Sequence, residues 1–539
     1  FTQADPYGSS GGNIRIRGFD GNRISLTFDG LPLNDTGNYA IFSNQQLDPE
    51  LIEQVNVGLG VTDVDSPTAS AAGGTVNYRT ILPQRETGAR LVGSIGEFEF
   101  RRLFGIVHTG ELTSFGTRAF IAGSYARNDK WKGPGEIFKR QVNARVYQPI
   151  GNGGDFVSVS GHYNTNRNNQ FRNPSINDLR TTLTSFEIPA SASATPDNPL
   201  LIGYFNDSQE ELNTQIENNK NCARPTPVGG TAQADPNCNS YYNVRVNPSD
   251  TGNIRINSRF TLADGILLTV DPSYQYVLAH GGGITSLAEN NFRSRGGSTT
   301  ATGVDFNGDG DVLDTVNFFT PNITNTHRLG LTSSLIWEIN RDQRVRVAYT
   351  YDRGRHRQTG EWGFLENNGD PENIFSGRNG RPVLDATGFQ IQQRDRKSIA
   401  LLNQISGQYI GRFFDRKLRV ELGVRRPFFE RDLQTFCPIQ ARDGFAYCSS
   451  QAILPAGTVV APGAAPNGSI RIFINPGDPV PTDARLRPLY APFEAKYKFG
   501  KLLPNVGATY NFTPAISIFG SYAKGFSAPR TDNLYRAPI

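Results

Sequence analysis

The sequence predicts a transmembrane antiparallel β-barrel preceded by a small mixed α/β module, and three observations carry that expectation. Long segments alternate apolar and polar residues with a period of two. The links between them are by turns very short and very long. No run of about 18 consecutive apolar residues exists, so no helix reads as a membrane span. A closed barrel crosses a bilayer with only alternate residues apolar.

The first 82 residues differ from the rest. Two short alternating runs, RIRG and RISLTFDG, are joined by Phe19-Asp20-Gly21-Asn22 and end in an Asp29-Gly30 turn signal. Asp48-Pro49-Glu50 supplies a helix start, with Asp as N-cap and Pro at the first helical position. Leu51-Ile52 and Gln54-Val55-Asn56-Val57 return to an extended pattern, and 71–78 (AAGGTVNY) adds a strand after a small-residue turn. This composition suits a compact polar module and not a barrel wall.

From Gly88 onward one pattern recurs. In 158–164 (SVSGHYN), Val157, Val159, Gly161 and Tyr163 oppose Ser158, Ser160, His162 and Asn164. In 344–352 (RVRVAYTYD), Val345, Val347, Tyr349 and Tyr351 oppose Arg344, Arg346, Thr350 and Asp352. In 417–425 (KLRVELGVR), Leu418, Val420, Leu422 and Val424 oppose Lys417, Arg419, Glu421 and Arg425. Segments 267–276 and 328–339 repeat it, and about fourteen such strands are expected, many at the roughly 9–11 residues a tilted spanning strand needs. Links such as Ala263-Asp264-Gly265 and Asn340-Arg341-Asp342 alternate with long stretches over 166–251, 280–326, 357–393 and 431–485. Compact soluble domains seldom carry several such loops, which leaves a multi-domain secreted sandwich as the weaker alternative.

Composition narrows the function. Charged residues are 19% of the chain and the net charge is only +4, which argues against nucleic acid or another polyanionic partner. The four cysteines fall as two close pairs, Cys222 with Cys238 and Cys437 with Cys448, without zinc-site spacing. Two local disulfides in an oxidising compartment are the expectation, four unpaired loop thiols the alternative. The five histidines (His108, His162, His280, His327 and His356) are scattered, and no nucleophile elbow, P-loop or dinucleotide fingerprint occurs. An enzyme is not expected.

Several motifs in order resemble the TonB-dependent outer-membrane receptors. Ile16-Arg17-Gly18-Phe19, Asn22-Arg23 and Asp29-Gly30-Leu31-Pro32 match the run IRGF..NR....DG.P of that family's plug domain. Leu51-Ile52-Glu53-Gln54-Val55-Asn56-Val57 with Gly60, then Gly73-Gly74-Thr75-Val76-Asn77-Tyr78-Arg79-Thr80, are similar to its later plug motifs. Segment 518–529 (IFGSYAKGFSAP) is similar to its SYS.GFRAP barrel motif. The family's Arg-Gly-Pro is replaced by Gly58-Leu59-Gly60-Val61.

The resemblance implies a plug inside the lumen of a barrel that has 22 strands in the family. With about 14 strands here, a chain beginning at Phe1 and lacking a TonB box is expected to be truncated at both ends. Residues 1–82 then form the C-terminal part of the plug and 83–539 the N-terminal part of the barrel. The implied activity is active transport of a scarce ligand across the bacterial outer membrane, most commonly a ferric siderophore. A carbohydrate or cobalamin-like nutrient, or a passive porin, is the alternative. The partners implied are a TonB-type energy-coupling protein, outer-membrane lipid and a small ligand such as a metal chelate; no cofactor is required.

The family's ligand site lies at the plug apex and inner loops, which points to 34–42 with Asn38, Tyr39 and Phe42, and to loop residues Trp131, Arg355 and Trp362. Arg15, Arg17 and Arg23 on the plug are expected to pair with barrel acids such as Glu338 or Glu421 as a plug lock, the alternative being solvated strand arginines. Asp305, Asn307, Asp309 and Gly310 fit the first half of an EF-hand-type calcium loop, which Asp311 and Asp314 would complete. Val316 stands where that loop needs its bidentate Glu, so a polar turn is the competing reading.

Overall fold

Over much of the alternating wall the polar face is the buried one. In 158–164, Ser158 and Asn164 are 0% exposed while Val159 and Tyr163 are 41% and 51% exposed. A soluble sheet would do the opposite, so the apolar face is built for an apolar solvent and the polar face for an enclosed lumen. This computed structural model describes residues 2–3, 7, 12–59, 66–68, 71–131, 133–170, 222–238, 241–298, 300–463, 465 and 468–536. Gly60 and Val61, and 171–221 of the first long loop, lie outside the described residues.

The plug is strand-rich. β1 (Thr2–Gln3) pairs with β2 (Gly12–Asn13), and a second sheet holds β3 (Ile24–Phe28), β4 (Leu31–Pro32), β5 (Ile52–Leu59) and β6 (Gly74–Thr80). Its order is β4-β3-β6-β5, with β3 and β6 parallel. β3 is buried at every position, so this run is a central strand and not an exposed hairpin arm. Asp29 (φ 45°) and Gly30 (φ 84°) turn β3 into β4 with both central residues left-handed, the two-residue geometry that Asp-Gly favours. The expected helix at Asp48-Pro49-Glu50 is a single 3-10 turn, Pro49–Leu51. Asp48 makes no side-chain cap there because its carboxylate is drawn to a wall arginine instead.

The wall starts with β7 (Thr87–Ile95), β8 (Arg101–Glu111), β9 (Arg118–Asp129), β10 (Glu136–Ile150), β11 (Asp155–Asn168), β12 (Ser249–Ala263) and β13 (Ile266–Gly281). β14 (Ile284–Ala288) and β15 (Thr315–Phe319) form a hairpin within the next loop. The wall resumes with β16 (Asn322–Asn340), β17 (Gln343–Glu361), β18 (Gln392–Phe413) and β19 (Leu418–Thr435). β20 (Ile439–Gln440), β21 (Ile470–Phe473) and β22 (Leu486–Tyr490) are again loop strands, and β23 (Glu494–Gly500), β24 (Leu503–Thr513) and β25 (Ile516–Ala523) complete the sheet. Among the described residues the wall thus has 14 strands. β23 and β24 share one neighbour, β23 on residues 428–434 of β19 and β24 on 418–425. Among the described residues the sheet edges are β7 and β25.

Plug and wall share a core. Phe28, Leu31, Leu47 and Leu51 pack with Phe104, Ile106, Phe120 and Ala122 of β8 and β9. Among the described residues the long loops over 280–326 and 357–393, expected to be structureless, are folded. Leu287, Phe306, Val316, Phe318, Trp362, Phe364, Val383 and Ile391 form an apolar cluster joining two of them. Disulfides close Cys222 to Cys238 (Cα–Cα 5.3 Å) and Cys437 to Cys448 (4.8 Å), each stabilising by on the order of 3 kcal/mol.

The outward face makes a sharp prediction. Val347 lies on β17 and is 52% exposed, so Val347→Arg in a soluble protein would be close to neutral. On a lipid-facing strand it costs about 2–4 kcal/mol near the bilayer midplane. Urea unfolding of the protein in lipid vesicles is expected to show the larger loss.

Candidate ligand site and plug clamp

The plug apex is built from its own polar side chains. Asn34, fully buried, accepts from the Leu26 N–H (2.9 Å) and donates to the carbonyls of Ile24 (2.8 Å) and Tyr39 (3.0 Å). These bonds fix the base of a loop over 34–40. Asp35 shapes the loop from inside: Oδ1 accepts the N–H of Gly37 (2.7 Å) and Asn38 (2.9 Å), and Oδ2 that of Ala40 (2.6 Å). A Cβ on Gly37 would lie 2.8 Å from His356 Nε2, so only glycine lets the loop approach β17 this closely. The loop meets β17 at His356, β18 at Ala400 and Leu402, and β19 at Arg431.

Beside it lies a cavity of about 200 Å³ between the loop and β13, β16 and β17. Thr36, Asn38, Phe42, Gln275, His356 and Gln358 are among its walls. Its polar surface is chiefly amide, hydroxyl and imidazole, suited to hydrogen-bonding a ligand that Phe42, 44% exposed, can also stack upon.

Cations from the wall hold the plug at successive levels. Arg102 of β8 grips the Pro49–Leu51 turn, donating to both oxygens of Glu50 (2.7 Å each) and to Asp48 Oδ1 (2.9 Å). Lys139 donates to the Gln46 carbonyl (2.9 Å). Arg145 donates to Thr80 Oγ1 (2.9 Å) and the Ile81 carbonyl (3.1 Å). Arg255 donates to Asp29 Oδ2 (2.9 Å) and covers the Phe28 ring at 4.4 Å. Arg328 pairs bidentately with Asp352 of the wall (2.6 and 2.7 Å) and gives its remaining arm to the carbonyls of Pro32 (3.1 Å) and Asn34 (2.7 Å). Arg431 donates to the Thr36 carbonyl (2.6 Å) and the Tyr39 hydroxyl (3.1 Å). Asp29 lies level with Arg145 and Arg255, and the chain climbs from it to the apex.

The lock expected from the sequence therefore has the opposite polarity. Arg15 pairs with Asp20 of the plug itself (3.3 Å), and Arg17 and Arg23 are exposed. Glu338 is exposed, and Glu421 accepts from Gln408 (2.6 Å) and Arg419 (3.2 Å) of the wall. No ion pair among the described residues joins these arginines to these acids. Arg17 instead turns the chain with Gly18, both at positive φ.

The ligand candidates also separate. Asn38 and Phe42 line the cavity. Tyr39 is 4% exposed behind it, at positive φ against Phe429 and Arg431, so its ring supports the loop rather than facing a ligand. Arg355 is on the outward face of β17, one position off the lumen residues Gly354 and His356. Trp362 is 1% exposed in the loop cluster, under Arg293 at 4.6 Å, and Trp131 lies in the 130–135 link outside the cavity walls. In the calcium-like loop, Asp305 is engaged by the N–H groups of Gly308 (2.6 Å) and Gly310 (2.9 Å), and Asn307 donates to Asp314 (2.5 Å). Asp309 Oδ1 accepts the Asp311 N–H (3.1 Å). The carboxylates that converge are Glu289, Asp311 and Asp314, with oxygens within 4.8 Å of one another. Each accepts a backbone N–H: Phe306 on Glu289, Gly230 on Asp311 and Gln233 on Asp314 (2.6 Å each). The donor set differs from the expected one because Asp305 folds the turn.

Sequence reasoning missed the wall cations because every strand carries a polar face with many charges, and none stands out by spacing. Asp29 was visible in its motif, and its electrostatics show its role. Burial alone would raise its carboxyl, but Arg255 and then Arg145 outweigh that and hold it below the ordinary carboxylate value. Because the folded value is depressed, its stabilisation is complete above the ordinary value near ~4 and disappears as pH falls through the lowered one. The protection of β3 and β4 amides against hydrogen exchange, relative to their intrinsic rates, is expected to fall in acid below about pH 4. Asp29→Asn should abolish that dependence and weaken plug docking by about 3–5 kcal/mol, since Arg255 is left buried without its counter-charge.

Comparison with known proteins agrees with this architecture. The family model "TonB dependent receptor-like, beta-barrel" matches residues 193–538, and the "TonB-dependent Receptor Plug Domain" matches 1–75. A comparison with curated protein sequences gives no match. Among solved structures, the siderophore receptor PiuA from Acinetobacter baumannii aligns with a TM-score of 0.55 at 13% identity, over 97% of this chain and 60% of that one. The closed form of the ferric-catecholate import receptor Fiu from E. coli K12 gives 0.55 at 15%, over 97% and 60%. The ferric preacinetobactin receptor BauA from Acinetobacter baumannii gives 0.53 at 12%, over 98% and 59%. The chain thus spans about 60% of the length of these structures, and at such identities the likeness is one of fold. The lumen-filling plug, the inverted wall and the two family matches agree: this chain belongs to the TonB-dependent receptors.

Proposed function

We propose that this chain is part of an energy-coupled receptor that admits a scarce ligand, most plausibly a ferric siderophore, through the bacterial outer membrane. The observation that carries the reading is that one loop serves both the cavity and the clamp. Thr36, Asn38 and Phe42 face the cavity, while the carbonyls of Asn34 and Thr36 hold Arg328 and Arg431. A ligand that moves this loop alters the geometry of two clamp points, and a bound ligand is thereby reported to the plug body.

Transport in this reading is a conformational change without covalent chemistry. A TonB-type coupling protein pulls on the plug from the short-turn side and releases the cation contacts one level after another. Each contact is a charge-assisted hydrogen bond, individually modest, so sequential release needs far less force than simultaneous rupture. The apolar outward face meets outer-membrane lipid. The solved structures of like fold include a siderophore receptor, a ferric-catecholate import receptor and a ferric preacinetobactin receptor, and a ferric chelate bearing several hydrogen-bonding groups suits the cavity's amides and hydroxyls.

The test is uptake. A host deleted for the full-length receptor is expected to lose growth on ferric siderophores under iron starvation. Restoring the receptor should rescue growth only while the coupling protein and the proton gradient are present. Rescue independent of the coupling protein would mean a passive pore; iron-independent uptake of a sugar or a cobalamin-like nutrient would replace the ligand class.

A further inference from the structure

One contact at the apex comes from the chain itself. The helical turn Thr531–Arg536 follows the GFSAP motif and lies over the plug loop. The Thr531 N–H donates to the Gly37 carbonyl (3.2 Å). Asn38 Nδ2 donates to Asp532 Oδ2 (2.8 Å), and Arg396 of β18 donates to Asp532 Oδ1. A carboxylate is thus held between a wall guanidinium and a plug amide, at the edge of the cavity that Asn38 lines.

The surroundings hold more positive charge than Asp532 answers. Arg394, Arg396, Ser398, Ala400 and Leu402 share one face of β18 by strand alternation. Ala400 and Leu402 pack there against Tyr39 and Phe429, so this face looks into the lumen. Arg394 makes one side-chain hydrogen bond, a long one from Nε to the Thr359 carbonyl (3.4 Å), and no ion pair among the described residues. Arg396 is oriented from behind, donating from Nε to Gln358 Oε1 (2.7 Å) and lying over the Tyr535 ring at 4.4 Å. Gln358 also lines the cavity, so seat and cavity are continuous. The Asp532 side chain remains 38% exposed while Arg396 is 12% exposed, so the guanidinium is enclosed and its carboxylate can be approached from the lumen.

We propose that Arg394, Arg396 and Asn38 form a carboxylate seat at the plug apex, which Asp532 fills as an internal stand-in. A carboxylate-bearing ligand enters by displacing it. This rests on reading the apex as the ligand end. Displacement exchanges one Arg–carboxylate pair for another, with Arg394 available to make the incoming pair the better one. It also frees Asn38 and the Gly37 carbonyl from the turn, so occupancy of the seat loosens the same loop that Arg431 and Arg328 clamp.

The test uses the full-length receptor in detergent and calorimetry with tricarballylate as the carboxylate probe, its triamide serving as an uncharged control. Asp532→Asn removes the competing charge and should tighten tricarballylate on the order of tenfold, because the open seat no longer needs to be released first. The triamide should be unaffected. Arg396→Gln added to that variant should abolish the gain, and Asp532→Glu, which keeps the charge, should stay within about twofold of the parent. No tightening, or equal tightening of both probes, would overturn the seat; equal tightening would leave the turn as a steric strap. Coupling-dependent uptake is scored separately in the same variants. Uptake with no charge-specific tightening defeats the seat alone, and tightening without coupling-dependent uptake defeats the transport reading alone.

Discussion

Buried guanidinium groups are the constraint on which this structure depends. Arg328 and Arg431 are 2% and 0% exposed, and Arg145 and Arg255 are 5% and 4% exposed. Each would carry a desolvation penalty of several kcal/mol without partners. The wall alone supplies only part of what they need: Asp352 for Arg328 and Ser158 for Arg145. Further hydrogen bonds come from plug carbonyls and from Asp29. The plug is therefore not merely accommodated in the lumen; it completes the wall's polar chemistry. The wall in turn covers one apolar face of the plug through Phe104, Ile106 and Phe120, beside the plug's own core of Ile14, Ile24, Leu26 and Val76.

This arrangement explains how holding and release coexist. Ion pairs with a wholly buried partner are costly to break singly by mutation, because the survivor is stranded. Pulled apart in sequence while water enters, the same groups can be rehydrated one at a time. By strand register Arg102 and Lys139 lie six residues nearer the long-loop ends than Arg145, so the Glu50 and Thr36 contacts both stand above the Asp29 contact, and the Thr36 contact adjoins the cavity.

The wall was legible in the sequence because a period of two over long segments has few interpretations, and because the long and short links alternate. The apex at 34–42 was legible through its family motif, and Asn38 and Phe42 reach the cavity. Tyr39 did not, since a left-handed backbone at that position turns its ring inward, which no propensity foretells. Arg355 failed by one step of strand register, and Trp362 because a loop aromatic can face a ligand or a loop core with equal sequence signal. The lock was read with its charges reversed for a related reason. Arginines in a short plug motif are conspicuous, whereas Arg102, Arg145, Arg255, Arg328 and Arg431 are spread over some 330 residues of alternating wall, and only the curving of the wall around the plug brings them together.

The claim that wall cations hold the plug is tested most directly by force spectroscopy on the full-length receptor, pulling the plug from its N-terminal side. Replacing Arg328 by Gln removes the guanidinium that bridges Asp352 to the carbonyls of Pro32 and Asn34. Plug extraction is expected at clearly lower force, with the unfolding of the wall itself unchanged. An extraction force equal to that of the parent protein would contradict the account.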